Sequence, residues 1–181
     1  AESIPEVLGW TGKIPGFRDR DSYSLTLLGR WAEQDVQPAL TYAQGLKPQA
    51  QRESAVRTVV AAWQEHDPDA ATEWVLGQQE TQDGAGDLLD TTIASLIESD
   101  PAKAWAAAAR IKPGPGYENP RSILIPGVFS SWAGEDPRAA VLEANRIIEE
   151  DDRAMAFDAV ATGWAGKDPE AALAWVRTLP P

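Results

Sequence analysis

The hydrophobic positions of this 181-residue chain recur at helical spacing around a repeated phrase. The phrase reads WQEHDPDAATEWV from residue 63, WAGEDPRAAVLEA from residue 132 and WAGKDPEAALAWV from residue 164. Apolar side chains after the Asp-Pro pair stand at i, i+1, i+4 and i+5, so they share one stripe of a helix. The clearest examples are Ala70, Ala71, Trp74 and Val75, and then Ala171, Ala172, Trp175 and Val176. We name the helices predicted to begin at these pairs B helices.

A second helical pattern precedes each aspartate. Four units carry a tryptophan four residues before it, and Leu96 takes that corner position in the third unit; the tryptophans are Trp31, Trp63, Trp132 and Trp164. Counting back from the corner position, positions −8, −7, −4 and −3 hold Ala55, Val56, Val59 and Val60 in one unit and Leu124, Ile125, Val128 and Phe129 in another. This spacing predicts an amphipathic A helix before each B helix, with the corner tryptophan in the core.

The repeated aspartates mark the junction between the two helices. They are Asp35, Asp67, Asp100, Asp136 and Asp168, at steps of 32, 33, 36 and 32 residues, which is the range of helical-hairpin repeats. Proline follows directly in the last four units, and Asp-Pro is typical of an N-cap and first helical residue. Antiparallel hairpins of this kind bury their apolar faces by stacking. The sequence therefore predicts an all-α, right-handed αα-solenoid of about five hairpins.

The predicted organisation is one helical-repeat domain over residues 1–181. Residues 1–19 form an N-terminal half-repeat that acts as a cap, and the repeats lie at approximately 20–46, 51–80, 84–112, 119–149 and 151–179. The final RTLPP stops where a further A helix would begin, so the sequence leaves a longer array open.

From about residue 20 to residue 180, the chain resembles the αα-solenoid superfamily in its repeat length and in its recurring Asp-Pro pairs. The segment DPDAATEWVLG is similar to the tetratricopeptide junction, which runs from Asp-Pro into a helix with Trp, Leu and Gly. That family places small residues twelve and five positions before the proline, where this chain has Val56 and Trp63, Ile125 and Trp132, and Phe157 and Trp164. The tetratricopeptide-like resemblance implies protein or peptide binding on a curved surface, and it assigns no site residues.

Composition narrows the class of partner. With 43% hydrophobic and 24% charged residues, the chain is typical of a folded protein that lacks a membrane span. Its formal charge of −12 argues against nucleic acid as a partner, because phosphate binding needs a basic face. The chain begins at Ala1, which fits either an internal fragment or a mature form exported to a bacterial envelope or periplasm. The sequence does not decide between them.

The sequence contains few residues that are suited to catalysis or to metal binding. The one histidine, His66, precedes a cap aspartate at a predicted helix end, and the absence of cysteine excludes thiolate chemistry. The acidic run EEDD from Glu149 lacks calcium-loop spacing and is predicted to be a solvated link between two helices. We interpret the chain as a non-enzymatic protein or peptide interaction scaffold without cofactor. The alternative is a helical accessory domain of a carbohydrate-active or cell-wall enzyme, which a deep pocket with two facing carboxylates would favour.

Arginine also recurs, eleven residues before the corner position, at Arg20, Arg52, Arg121 and Arg153, with Ala85 in the third unit. The start of an A helix lies beside the end of a B helix in an antiparallel hairpin, so each guanidinium is predicted to bind the carbonyls there. The other interpretation is an anion-binding ladder along one edge.

Two places are predicted to bind a partner. On the A helices, position −6 points away from the buried stripe and holds Leu25, Arg57, Asp90, Pro126 and Asp158. Position −5 beside it is small and holds Thr26, Thr58, Thr91, Gly127 and Ala159, which leaves space for an extended peptide with a basic residue. The second place is the loop IKPGPGYENP, where prolines would present Tyr117.

Overall fold

The computed structural model describes residues 4–11, 20–78, 85–111 and 120–179. Every regular element within these ranges is a helix. The eleven helices are α1 (Ile4–Thr11), α2 (Arg20–Gln34), α3 (Val36–Gln44), α4 (Gln49–His66), α5 (Pro68–Gly77), α6 (Ala85–Ser99), α7 (Pro101–Ala108), α8 (Pro120–Glu135), α9 (Pro137–Ala144), α10 (Glu150–Ala165) and α11 (Pro169–Val176). Even-numbered helices are the predicted A helices, and the odd-numbered ones are the predicted B helices.

In four of the five hairpins, the corner between the A helix and the B helix is a single residue, and in the last hairpin it is three residues, 166–168. In the second hairpin α4 ends at His66 and α5 begins at Pro68, so Asp67 alone joins them. The Asp67 amide donates to the Trp63 carbonyl at 2.8 Å, and the Asp67 carbonyl accepts from the Ala71 amide at 3.1 Å. The same aspartate therefore closes the last turn of one helix and opens the first turn of the next.

The predicted caps are confirmed in the four units that carry Asp-Pro. Each aspartate carboxylate accepts a backbone amide of the first turn at 3.0 Å, from Ala70, Lys103, Ala139 and Ala171 in turn. The first unit differs, since Asp35 has the extended backbone of an N-cap but no side-chain cap hydrogen bond. Its proline stands three residues on, at Pro38, so the Asp-Pro cap motif is missing at this corner.

The chain divides by its internal contacts into two compact units, Ala1–Leu88 and Leu89–Pro181. In the first unit, α2 packs against α4, α3 packs against both, and α1 packs against α2. In the second unit, α8 packs against α7, α9 and α10, while α10 also packs against α9 and α11. A B helix such as α3 or α9 thus contacts the A helix of its own hairpin and the A helix of the next one.

Most of the predicted core positions of the A helices are buried, but Leu124 is half-buried and the tryptophans need a correction. Val59, Val128 and Val160 at position −4 are fully buried. The corner residues Trp31, Trp63, Trp132 and Trp164, however, are only half-buried. Three of them lie against an aromatic ring of the following B helix, in the pairs Trp31–Tyr42, Trp63–Trp74 and Trp164–Trp175. They cover the corner rather than fill the core, because the helix that would enclose them ends there.

The acidic run was predicted wrongly as a solvated link. Glu149 is the N-cap of α10, and the three acids after it form the first turn of that helix. This position suits carboxylates because the N-terminal end of a helix dipole is positive. Asp152 also accepts a hydrogen bond from the Ser122 hydroxyl of α8 at 2.7 Å, which ties the two helices together.

Candidate functional site

Small residues join neighbouring A helices along one edge. A Cβ on Gly163 of α10 would collide with the backbone of Ser130 in α8. The Ser131 hydroxyl of α8 donates to the Ile97 carbonyl of α6 at 2.8 Å. These contacts come from position −1, and position −5 lies one turn before it on the same edge. The A helices therefore pack side by side through their −1 and −5 residues.

This packing involves two of the five residues at position −5. Thr58 lies against Gly29 of α2, Gly127 lies near Ile97, and Ala159 is buried. Thr26, Thr91 and Gly127 are exposed, and Thr58 is half-buried. Thr58 and Ala159 therefore belong to the packed sides of the site, while the predicted space for a peptide at the three exposed residues stays a prediction.

Position −6 fits its prediction better. Arg57, Asp90, Pro126 and Asp158 are exposed, and Leu25 is half-buried. Arg57 belongs to the first unit, whereas Asp90, Pro126 and Asp158 belong to the second. Tyr117 lies outside the described residues.

In the second unit, a pocket lies on each side of α8. The first, between α8 and α10, has a volume of about 330 Å³. It is lined by Pro126, Ser130, Met155, Asp158, Ala159 and Thr162. Asp158 is the only charged residue in its wall, and Met155 is an exposed apolar residue at its rim.

The second pocket lies between α6 and α8 and has a volume of about 280 Å³. Its wall is apolar apart from Asp90, and its other residues are Leu89, Ile93, Ala94, Ile97, Ile111, Ile123 and Leu124. Ile123 is 60% exposed, which is high for a large apolar side chain. Both pockets on α8 thus combine one carboxylate with an apolar wall.

In the first unit, the spaces between neighbouring A helices are lined by different side chains. Arg57 of α4 forms an exposed ion pair with Asp87 of α6, at 3.9 Å. A pocket of about 460 Å³ between α2 and α4 is lined by Leu25 and Ser54, and it continues inward to Leu8, Tyr42 and Leu46. Asp21 supplies the only carboxylate of this pocket.

Position −9 of the A helices also contributes to these places and was not predicted to do so. At these places the −6 residue of one A helix lies near the −9 residue of the next. Arg57 and Asp87 form an ion pair, and the other three pairs each line one pocket: Leu25 with Ser54, Asp90 with Ile123, and Pro126 with Met155. Positions −9 and −6 are three residues apart and lie on the same helix surface. The signal available in the sequence was an isoleucine or a methionine at position −9, directly before the apolar stripe that begins at position −8.

The recurring arginines bind backbone carbonyls, as predicted, in two units. Arg153 donates to the Ile147 carbonyl at 2.9 Å and to the Ile148 carbonyl at 3.2 Å, and Arg52 approaches the Leu46 carbonyl at 3.5 Å. These carbonyls lie just beyond the end of the preceding B helix. Arg121 instead places its guanidinium carbon 4.0 Å from the centre of the Trp105 ring. The side chain of Arg20 lies outside the described residues.

Replacing Arg153 with alanine is expected to lower the free energy of unfolding by about 1–2 kcal/mol, because two carbonyls lose a charged donor. Arg146→Ala is the matched control. Its guanidinium forms an exposed ion pair with Glu143, and its loss should cost less than about 0.5 kcal/mol. Urea unfolding of both variants provides the measurement. Equal losses would contradict the structural role of Arg153.

Three further observations on the described residues concern the histidine, the possible metal ligands and the length of the helices. His66 is exposed at the end of α4. In the described ranges, no three His, Cys, Asp or Glu side chains are grouped so that they could hold a metal ion. No helix among the eleven is both long and apolar enough to cross a membrane. Comparisons with protein-family models, curated proteins and solved structures found no match.

Proposed function

We propose that this protein is a non-enzymatic interaction scaffold that binds an extended peptide across its A helices. In this proposal, the stacked hairpins continue as a right-handed αα-solenoid with a tetratricopeptide-like arrangement. The pair of pockets on the two sides of α8 is the observation that carries the proposal. Two pockets of similar volume on adjacent repeats suit successive side chains of one bound chain.

The chemistry of the pockets favours a peptide that alternates apolar and basic side chains. Asp158 and Asp90 each supply one negative charge beside an apolar wall. A lysine or arginine side chain has an apolar stem and a charged end, so it matches both parts of such a pocket. The formal charge of −12 would also favour encounter with a basic partner.

Within the described ranges, the three pockets do not add support to the enzyme-domain alternative. It calls for two carboxylates that face each other in a deep pocket. Each of the three pockets described above carries one carboxylate in its wall.

A random dodecapeptide library selected on the wild-type chain tests this proposal. We expect enriched peptides to carry a basic residue next to an apolar one. Asp158→Lys and Asp90→Lys should each weaken their binding about tenfold, the equivalent of about 1.4 kcal/mol. Fluorescence anisotropy gives the affinities. Raising the salt concentration should weaken binding further, because exposed charges are screened.

Glu135→Lys is the matched control, because it makes the same charge change at an exposed residue outside the pockets. It should alter affinity by less than about twofold, and all three variants should keep the wild-type melting temperature. Equal weakening by the control would mean that only net charge matters. Unchanged binding in Asp90→Lys and Arg57→Glu, together with loss of binding in Tyr117→Ala, would place the site at the loop instead.

A further inference from the structure

The two pockets beside α8 lie on opposite sides of the same helix, and each has one carboxylate in its wall. Asp158 belongs to the pocket between α8 and α10, and Asp90 belongs to the pocket between α6 and α8. Helix α8 packs against α10, and its Ser131 hydroxyl donates to the Ile97 carbonyl of α6. The pockets are therefore one helix spacing apart, which is about 8–10 Å for packed helices.

This spacing selects the conformation of a peptide that fills both pockets. A polyproline II helix rises about 3.1 Å per residue with three residues per turn, so side chains three positions apart share one side at about 9 Å. In a β-strand, side chains on one side recur at every second residue, at about 7 Å and then at about 13 Å. Of these two extended conformations, polyproline II matches the distance between the pockets.

The surface of α8 between the two pockets suits a peptide whose backbone stays in water. Pro126 lines one pocket and lacks an amide donor, and the other amides inside a helix bond to carbonyls of the preceding turn. A β-strand ligand pairs with the edge of a sheet, whereas every regular element in the described ranges is a helix. A polyproline II segment keeps its backbone solvated and needs no such partner.

The pockets also specify the side chains at the two matching positions. Each pocket combines one carboxylate with an apolar wall, which suits the apolar stem and the charged end of lysine or arginine. Between the pockets, Gly127 lacks a side chain and Pro126 is exposed, so proline rings of a peptide can cross α8 in contact with it. The matching sequence is a basic residue, two prolines and a second basic residue.

We propose that the two pockets beside α8 bind one polyproline II segment of a partner protein, through two basic side chains three positions apart. The occupant is the extended peptide of the proposed function, on which this site depends, now with a defined conformation and register. Asp90 and Asp158 complement the two basic residues in charge. A second copy of this chain is a poor occupant, because its formal charge of −12 would be repelled by the same carboxylates.

The test uses the full chain and fluorescein-labelled octaproline peptides in which two prolines are replaced by lysine. Three peptides of the same composition carry the lysines two, three or four positions apart, so they differ in register and not in charge. We expect the spacing of three to bind at least about tenfold more tightly than the other two, as measured by fluorescence anisotropy. A peptide with the same spacing in a glycine-serine host should bind severalfold more weakly, because a flexible chain loses more conformational freedom on binding.

Double-mutant cycles assign each lysine to a pocket. Asp158→Asn and Asp90→Asn should each weaken the peptide with the spacing of three about tenfold. Replacing one lysine with norleucine should then matter less than about twofold in Asp158→Asn, and replacing the other lysine should matter equally little in Asp90→Asn, because the partner charge is already gone. Glu135→Gln is the matched control at an exposed residue outside the pockets, and it should change the affinity by less than about twofold.

Three results would overturn the polyproline II site without contradicting the scaffold function. They are binding at a spacing of two or four that equals or exceeds binding at three, a glycine-serine peptide that binds as tightly as the proline peptide, and one lysine that is coupled to both aspartates. Failure of every octapeptide to bind saturably also overturns the site. The random dodecapeptide selection then decides the scaffold function separately, because it imposes neither proline nor spacing.

Discussion

Replacing Trp105 with alanine is expected to lower the free energy of unfolding by about 3–5 kcal/mol, the cost of deleting a large buried aromatic side chain. Trp105 is 4% exposed, and its ring meets Phe129 edge to face. The Arg121 guanidinium lies over the same ring and adds a cation–π contact. This ring joins α7 to α8, so its loss weakens the interface between two hairpins as well as one core.

The corner residue Trp132 provides the comparison. It is half-buried and stacks on Phe129 with ring centres 6.0 Å apart. Trp132→Ala should therefore cost less than Trp105→Ala. Urea unfolding followed by far-UV circular dichroism measures both, without dependence on the tryptophan signal that each variant removes. A larger loss for Trp132 would mean that the corner, and not the ring at α7, holds the second unit together.

Replacing Gly163 with alanine is expected to destabilise the second unit by about 2 kcal/mol, although alanine favours a helix by about 1 kcal/mol over glycine. A Cβ at this position would lie 2.8 Å from the carbonyl carbon and 2.9 Å from the Cα of Ser130. Backbone atoms cannot rotate away as a side chain can, so α10 would have to move off α8. Such a movement would disturb the whole α8–α10 interface.

Gly134→Ala is the control and should have the opposite sign. Gly134 lies in α8, and a Cβ there would have nothing within 4 Å. This substitution should stabilise the chain by about 0.5 kcal/mol through helix propensity and a less flexible unfolded state. We expect the urea midpoint of Gly163→Ala to lie below the wild-type value and that of Gly134→Ala to lie above it. A midpoint for Gly163→Ala at or above the wild-type value would disprove the close approach.

The candidate site could be predicted in part, because one side of it depends only on the helix period. Asp90 and Asp158 were placed on the exposed face by counting back from the corner position. Ile123 and Met155, which complete the pockets, were not, since the partner of position −6 depends on how far neighbouring helices are offset. The sequence pattern of a single helix contains no information about that offset.

The sequence by itself determined the hairpin corners, because a cap is a local interaction between Asp136 and the amides that directly follow it. It also determined the buried stripe of the A helices, although not the burial of the corner tryptophans, since the stripe depends on a fixed turn per residue. Only the tertiary structure decided two other features: that Trp105 rather than Trp132 is the buried ring, and that Gly163 marks a helix–helix contact. Each of these depends on the neighbour that packs against the residue, and the local pattern of one repeat does not specify that neighbour.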